Sequence, residues 1–147
     1  MFKERMQTLR LKLKEANIDI AFITDDDSVY YFTGYYDYLH MDFGRPTILL
    51  VPQDGKSVLI TPTVDVILAE DDAIVDSIEP WNDGVGNEWR EVIPNILNKS
   101  SCIAIDLNQI PAIVRNYIDT IVDKNKIIDV NPITSDMRMI KSKEELQ

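Results

Sequence analysis

Arg45 and a group of aromatic side chains, residue types that together recognise small charged molecules, lie close to each other early in the chain. Segment 30–45 holds most of the aromatic residues of the protein: Tyr30, Tyr31, Phe32, Tyr35, Tyr36, Tyr38 and Phe43. The planar guanidinium of Arg45 offers two parallel donors to a carboxylate and stacks on rings, and Gly44 lets the backbone approach a ligand closely. These residues suit a carboxylate-binding pocket. The same pattern also fits rings that cover one end of a sheet and an arginine that stabilises the fold, and the pattern alone favours this second interpretation.

Two acidic groups follow apolar runs of the kind that form buried strands. Asp25, Asp26 and Asp27 follow the first run, and Asp106 follows a later one. Together they resemble the acidic pocket of a phosphoacceptor domain, but they lie too far apart in sequence and too little chain follows Asp106. The aspartates also lack the alternate spacing, central glycine and final glutamate of a calcium loop. We therefore expect a solvated acidic loop at 25–27, an ordinary strand-end or cap residue at Asp106, and a charged surface at 70–72.

The chain has one histidine, His40, and one cysteine, Cys102. A single histidine excludes metal sites and catalytic pairs that need two imidazoles from this chain. Cys102 lies in an apolar run without a basic neighbour, so it is expected to be a small core residue rather than a nucleophile. We expect no cofactor and no tightly bound divalent metal in these 147 residues.

Composition restricts the class of protein further. The 147 residues suit one domain, and 45% hydrophobic with 27% charged residues are typical of a globular protein. A net charge of -10 disfavours nucleic acid and anionic membranes as partners. Without a disulfide pair, an apolar leader or a membrane-length apolar run, the simplest location is a reducing cytoplasm.

Hydrophobic spacing predicts an alternation of strands and helices. The first half predicts a basic amphipathic helix over 2–16, a strand over 18–23, a hairpin of strands 47–51 and 57–61 around Asp54-Gly55, a helix that Thr63 caps and a strand over 73–78. The second half predicts a helix over 89–97, a strand over 102–106, a helix that Pro111 opens and a strand over 126–130. This order indicates an α/β fold with a mixed sheet.

The last residues resemble the start of a helix. Ser142 and Glu145 have the spacing of a capping box, in which serine and glutamate satisfy each other's backbone amides. Either a helix begins here and continues in a longer protein, or the spacing is coincidental in a frayed tail.

Two motifs of this sequence resemble one known family. Residues 28–35, Ser-Val-Tyr-Tyr-Phe-Thr-Gly-Tyr, are similar to the "N-I-x-Y-L-T-G-F" stretch in the N-terminal domain of the prolidase, aminopeptidase P and creatinase family. Residues 137–145, Met-Arg-Met-Ile-Lys-Ser-Lys-Glu-Glu, are similar to its "R-x-I-K-S-x-x-E" junction with the catalytic domain. Residues 42–45, Asp-Phe-Gly-Arg, resemble a creatinase segment whose Phe and Arg reach substrate in the neighbouring subunit.

The resemblance implies a three-layer α/β domain of the ribonuclease H-like type, with about six strands in a mixed sheet and helices on both faces. It implies that residues 1–141 form a non-catalytic N-terminal domain and that residues 142–147 begin a linker helix to an absent C-terminal catalytic domain. It also implies a homodimeric hydrolase acting on Xaa-Pro peptides or a small guanidino or imido compound, with Mn, Co or Zn held by the catalytic domain. By the same resemblance, Phe43 and Arg45 contribute to a partner subunit's substrate pocket. The alternative is a free-standing acidic α/β binding module.

Overall fold

The protein is described by a computed structural model, which covers residues 1–36, 46–82, 88–98 and 101–141, with residues 143 and 146. The helices are α1 (Phe2–Glu15), α2 (Asp26–Thr33), α3 (Val66–Asp72), α4 (Glu88–Val92), α5 (Ala112–Ile121) and α6 (Asn131–Met139). The strands are β1 (Ile20–Ile23), β2 (Ile48–Pro52), β3 (Val58–Pro62), β4 (Ser77–Trp81), β5 (Ile103–Ile105) and β6 (Ile127–Asp129). Short 3₁₀ helices occupy Thr63–Asp65, Ile93–Asn95 and Lys124–Lys126. Among the described residues, none of the helices has the length and hydropathy that a membrane-spanning segment requires.

Six strands of the described part form one mixed sheet in the order β4-β3-β2-β1-β5-β6. Strand β2 runs antiparallel to β1 and β3, and the other neighbouring pairs are parallel. The β2–β3 hairpin has Leu49 opposite Leu59, and Gly55 in its turn adopts a φ of 117°. That angle favours glycine, as the Asp-Gly signal predicted. The predicted mixed sheet is confirmed.

Side chains alternate between two faces of the sheet and form two cores. Along β1, Ala21 and Ile23 enter one hydrophobic cluster, whereas Ile20 and Phe22 enter the other. The first cluster contains buried residues of α1, α2 and α6, and the second contains residues of α4 and α5. The sheet is therefore the middle of three layers, with helices on both faces, as the resemblance implied.

The acidic loop predicted at 25–27 is wrong, because these residues start helix α2. Asp25 is the N-cap, and its Oδ2 accepts a hydrogen bond from the Ser28 amide at 3.0 Å. Asp26 and Asp27 occupy the first turn, where carboxylates favour the positive end of the helix dipole. No helix was predicted for the aromatic stretch after them, whose aromatic and β-branched residues have modest helix propensity.

Other local predictions also differ from the structure. Thr63 does not cap a helix: its hydroxyl donates to the Trp81 carbonyl at 2.9 Å. Strand β4 starts at Ser77 rather than residue 73, because the Ile74 amide donates to the Thr33 carbonyl of α2. The helix predicted over 89–97 is divided, with α4 ending at Val92 and a 3₁₀ helix following. The last helix, α6, was not predicted at all.

Candidate functional site

The two sequence motifs meet in space, although they are 110 residues apart along the chain. Arg138 of α6 donates from Nη2 to the Ser28 hydroxyl of α2 at 2.6 Å. The Tyr31 hydroxyl donates to the Met137 carbonyl at 3.3 Å. These contacts attach α2, which leads into the aromatic segment, to α6, which ends at the predicted domain junction.

Tyr31 is the centre of this arrangement. The Cζ atoms of Arg5 and Arg138 lie 4.0 and 5.6 Å from the centroid of its ring, within cation–π distance. Arg5 also donates from Nη1 to the Tyr31 carbonyl at 2.8 Å. The carboxylate of Asp25 lies 3.9 Å from Arg138 Nη2 and balances part of the positive charge. One side chain from each of α1 and α6 thus fixes α2.

A pocket of about 230 Å³ opens beside Tyr31, between α1 and the end of α6. Its lining residues are Met1, Glu4, Arg5, Thr8, Lys12, Tyr31, Met137, Ile140 and Lys141. Of these, Ile140 is 72% exposed, and the preceding residue, Met139, is 82% exposed. We call Met139, Ile140 and this pocket the junction patch. An exposed apolar area of this kind is a surface suited to another protein domain.

An ion pair connects α1 and α6 at the rim of the junction patch. Lys12 Nζ donates to Asp136 Oδ2 at 2.7 Å. This hydrogen bond favours the charged amine and raises the pKa of Lys12 above its usual value, although burial opposes the change. The pair orients α6 on the domain but is partly exposed, so its contribution to stability is small.

The aromatic segment is anchored at both ends by described residues. At one end Gly34 follows α2 with a φ of 79°, and the Tyr35 amide donates to Thr33 Oγ1 at 3.1 Å. At the other end the Trp81 indole donates to the Pro46 carbonyl at 3.1 Å. Phe43 and Arg45, predicted to bind substrate, and His40 lie between these anchors, outside the described residues. Ser142 and Glu145 of the predicted capping box also lie outside the described residues.

Gly34 is predicted to be intolerant of a side chain. A Cβ atom there would lie 3.0 Å from the Phe2 ring and 3.5 Å from the Asp72 carbonyl, and its φ is positive. We expect Gly34→Ala to lower the free energy of unfolding by about 1–3 kcal/mol, measured by urea denaturation. Gly55→Ala is the matched control, because its φ is also positive but its Cβ would make only ordinary contacts. If both variants lowered the free energy of unfolding equally, a steric clash with Phe2 would be contradicted.

Asp106 is a cap residue, as predicted. Its Oδ1 accepts hydrogen bonds from the amides of Asn108 and Gln109 at 3.0 and 3.1 Å. It also accepts one from Asn131 Nδ2 at 2.8 Å, and the same nitrogen donates to Asp129 Oδ1 at 2.9 Å. Asn131 was not singled out from the sequence. Its one signal there is the Asn131-Pro132 pair, which is typical of a turn. These hydrogen bonds link Asp106, Asn131 and Asp129 to one another and to nearby backbone amides, so we assign the three side chains a structural role.

The acidic residues do not assemble a metal centre in the part of the chain that the structure describes. No group of three His, Cys, Asp or Glu side chains there could hold an ion. Glu70, Asp71 and Asp72 are exposed on α3, as predicted for a charged surface.

Cys102 is half-buried beside β5, and its environment makes it a weak nucleophile. Burial and the neighbouring Asp19 carboxylate raise the pKa of the thiol, with burial the larger cause. We therefore expect iodoacetamide to modify the folded protein at pH 8 more slowly than a model thiol peptide, and the rate to rise at higher pH. Unfolding in urea should remove the difference. Equal rates in the folded chain and the peptide would show an accessible, unperturbed thiol.

The sequence model of the creatinase/prolidase N-terminal domain matches residues 5–140, and the chain belongs to this family. An uncharacterized peptidase of Staphylococcus aureus is 28% identical over 135 residues, a match that covers 92% of this chain and 36% of the relative. The chain thus spans about a third of the length of that curated relative.

Solved structures share the fold. The N-terminal domain of an X-Pro dipeptidase from Streptococcus pyogenes superposes with a TM-score of 0.77 at 20% identity, covering 91% of this chain and 98% of that domain. A prolidase from Thermococcus sibiricus gives a TM-score of 0.81 at 20% identity and covers 99% of this chain, but only 39% of its own. In that prolidase the fold found here is one part of a longer chain.

Proposed function

We propose that this chain is the non-catalytic N-terminal domain of an Xaa-Pro peptidase of the prolidase or aminopeptidase P type, or of a creatinase-like hydrolase. In this proposal it assembles a homodimer and helps to close the partner subunit's active site. The observation that carries the proposal is the meeting of α2 and α6 beside the exposed junction patch. One helix leads into the aromatic segment and the other leads out of the domain.

The junction patch supports a covalently attached partner domain. Met139 and Ile140 expose most of their apolar surface, which is costly in water and suits burial against a following domain. The hydrogen bonds of Tyr31 and Arg138 hold this surface in a fixed relation to α2. We propose that residues 142–147 begin the linker helix and that the catalytic domain packs on the patch.

The substrate-facing part of the proposal concerns Phe43 and Arg45. In the homodimer, Arg45 binds a carboxylate of the substrate in the partner subunit, and Phe43 flanks it. The substrate is a peptide with proline in second position or a small guanidino or imido compound.

The hydrolytic chemistry belongs to the catalytic domain in this proposal. A divalent metal such as Mn, Co or Zn is held there. In this domain Asp25 and Asp106 accept hydrogen bonds from backbone amides, and Asp136 pairs with Lys12. We further propose that the enzyme works in the cytoplasm.

Hydrolysis assays on Xaa-Pro dipeptides and creatine test the proposal, with the 147-residue chain compared against the longer protein that contains it. We expect the chain alone to be inactive and the longer protein to be active with divalent metal. Hydrolysis by the chain alone, or a longer protein inactive on both substrate types, would overturn the proposal.

The junction patch is tested by Ile140→Asp. We expect it to lower the melting temperature of the longer protein more than that of the 147-residue chain, because it places a charge against the catalytic domain. Leu107→Asp is the matched control, since Leu107 is also exposed but lies after β5, outside the patch. Equal shifts in the two proteins would place Ile140 outside the domain interface.

A further inference from the structure

A cavity of about 430 Å³ opens between strand β4, at one edge of the sheet, and helix α4. Its size is within the roughly 300–1,000 Å³ of small-molecule sites. Strand β4 and helix α4 pack against each other, so both walls belong to the folded domain. We call this space the edge cavity. It shares no described lining residue with the junction patch, and the proposed function does not use it.

The edge cavity combines an apolar surface with two carboxylates. Its apolar lining belongs to or packs on the second hydrophobic cluster and consists of Val58, Trp81, Val92 and Ile96. Glu79 lines the β4 wall and Glu91 lines the α4 wall. The carboxylates therefore come from two different elements, with apolar side chains in the same cavity.

Both carboxylates are open to a ligand. Neither one forms a hydrogen bond or an ion pair with a described residue, and both side chains are exposed. Two donors of the lining are used within the fold: the Trp81 indole donates to the Pro46 carbonyl at 3.1 Å, and Asn95 Nδ2 donates to the Glu91 carbonyl at 3.5 Å. Carboxylate oxygens accept hydrogen bonds and donate none, so these two glutamates select a ligand that donates.

The backbone of the edge strand adds an acceptor beside the cavity. The Ser77 amide donates to the Ser57 carbonyl at 3.0 Å, on the side of β4 that pairs with β3. Main-chain groups alternate in direction along a strand, so those of Ile78 and Pro80 face the other side, where no described strand pairs. Pro80 lines the cavity and has no amide hydrogen, so its backbone offers only a carbonyl there.

The edge cavity differs in charge from the other cavities of the described chain. Three others each contain at least two basic side chains: Arg5, Lys12 and Lys141 in the junction patch, Lys3 and Arg10 in a second, and Arg10 and Lys14 in a third. Among its described lining residues the edge cavity has none. The negative potential of its two glutamates is therefore not balanced within the cavity, and it favours a cationic ligand.

We propose that the edge cavity binds an aliphatic diamine, with one ammonium group on Glu79, the other on Glu91, and the methylene chain on the apolar lining. An ammonium group has three donors and no acceptor, which matches carboxylate and carbonyl oxygens. The methylene groups leave water when they contact Val92 and Ile96. A bare metal ion matches the cavity less well, because no described group of three His, Cys, Asp or Glu side chains could hold one.

Non-specific attraction is the competing explanation for any binding. The chain carries a net charge of -10, which attracts cations to its whole surface. A matched control separates the two explanations: Glu70 is exposed on α3 and does not line the edge cavity, so Glu70→Gln removes the same charge from another place.

Titration of the ¹⁵N-labelled 147-residue chain with putrescine, followed by NMR, tests the site. We expect saturable binding with a Kd of about 0.1–1 mM and shifts at the Trp81 indole and at Glu79 and Glu91. Glu79→Gln and Glu91→Gln should each weaken binding about tenfold, the scale of one hydrogen bond to a charged group. Glu70→Gln should leave the Kd unchanged. No saturable binding, or equal weakening by all three variants, would overturn the proposal.

Butylamine tests whether both glutamates hold one ligand. It has the same carbon chain as putrescine but a single ammonium group, so we expect it to bind at least about tenfold more weakly. Magnesium ions at the same ionic strength test the metal alternative, and they should not displace putrescine. Equal affinities for butylamine and putrescine, or displacement by magnesium, would overturn the two-ended site. None of these measurements involves hydrolysis, so their outcome and that of the proposed function are separate.

Discussion

Replacing Arg45 by alanine in the longer protein is expected to lower kcat/KM by roughly 10- to 100-fold, with little change in melting temperature. The loss corresponds to about 1.5–3 kcal/mol, the scale of a hydrogen bond to a charged group. The physical reason is the proposed carboxylate contact across the dimer, which the guanidinium makes with two parallel donors. Arg45→Lys should recover only part of the loss, because an ammonium group cannot reproduce the planar fork.

Arg115→Ala is the control for this experiment. Arg115 pairs with Asp119 at 3.0 Å on the surface of α5, so its loss should leave kcat/KM unchanged. The competing hypothesis is that Arg45 stabilises the fold. A lower melting temperature for Arg45→Ala with unchanged kinetics would support that hypothesis and remove Arg45 from the proposed substrate pocket.

The sheet was predictable because its signals are local and repeated. Strands with two buried faces have near-continuous apolar runs, such as Ile20–Ile23 and Ile48–Leu50, and the Asp-Gly turn fixes the hairpin between β2 and β3. Each of these signals lies within a few residues of the structure it specifies. The two faces of the sheet then follow from the alternation of side chains.

Helices α2 and α6 were missed for a common reason. Each contains aromatic or β-branched residues of modest helix propensity: Asp26–Thr33 contains Val29, two tyrosines and a phenylalanine, and Asn131–Met139 contains Ile133 and Thr134. Their stability comes from tertiary contacts. Phe32 and Met137 are buried in the same core cluster, and this packing outweighs propensity.

The candidate site depends on the same long-range contacts. The sequence contained both motifs, but nothing in either one indicates that Arg138 reaches Ser28 or that Tyr31 reaches Met137. Hydrogen bonds between residues more than 100 positions apart depend on the whole fold, which places α2 and α6 in the same core cluster. Only the family resemblance connected the two motifs at the level of sequence. The contacts between α2 and α6 give that connection a physical basis.

Replacing Leu13 by alanine is expected to destabilise the domain strongly, because α1 is held mainly by its apolar face. Leu13 is fully buried with Met6 and Leu9 in the core cluster that α1 shares with α2 and α6. Truncation leaves a cavity and should lower the free energy of unfolding by about 2–5 kcal/mol. In a domain of this size the melting temperature should fall by roughly 10 °C.

Leu11 provides a matched control on the same helix. It is 61% exposed, so Leu11→Ala keeps the helix propensity and loses little packing. We expect a change below about 0.5 kcal/mol for it. Equal losses for the two variants in urea denaturation would mean that α1 does not dock through its Met6, Leu9 and Leu13 face. Since Arg5 and Lys12 lie on this helix, such a result would also remove the support of α1 for Tyr31 and for the junction patch.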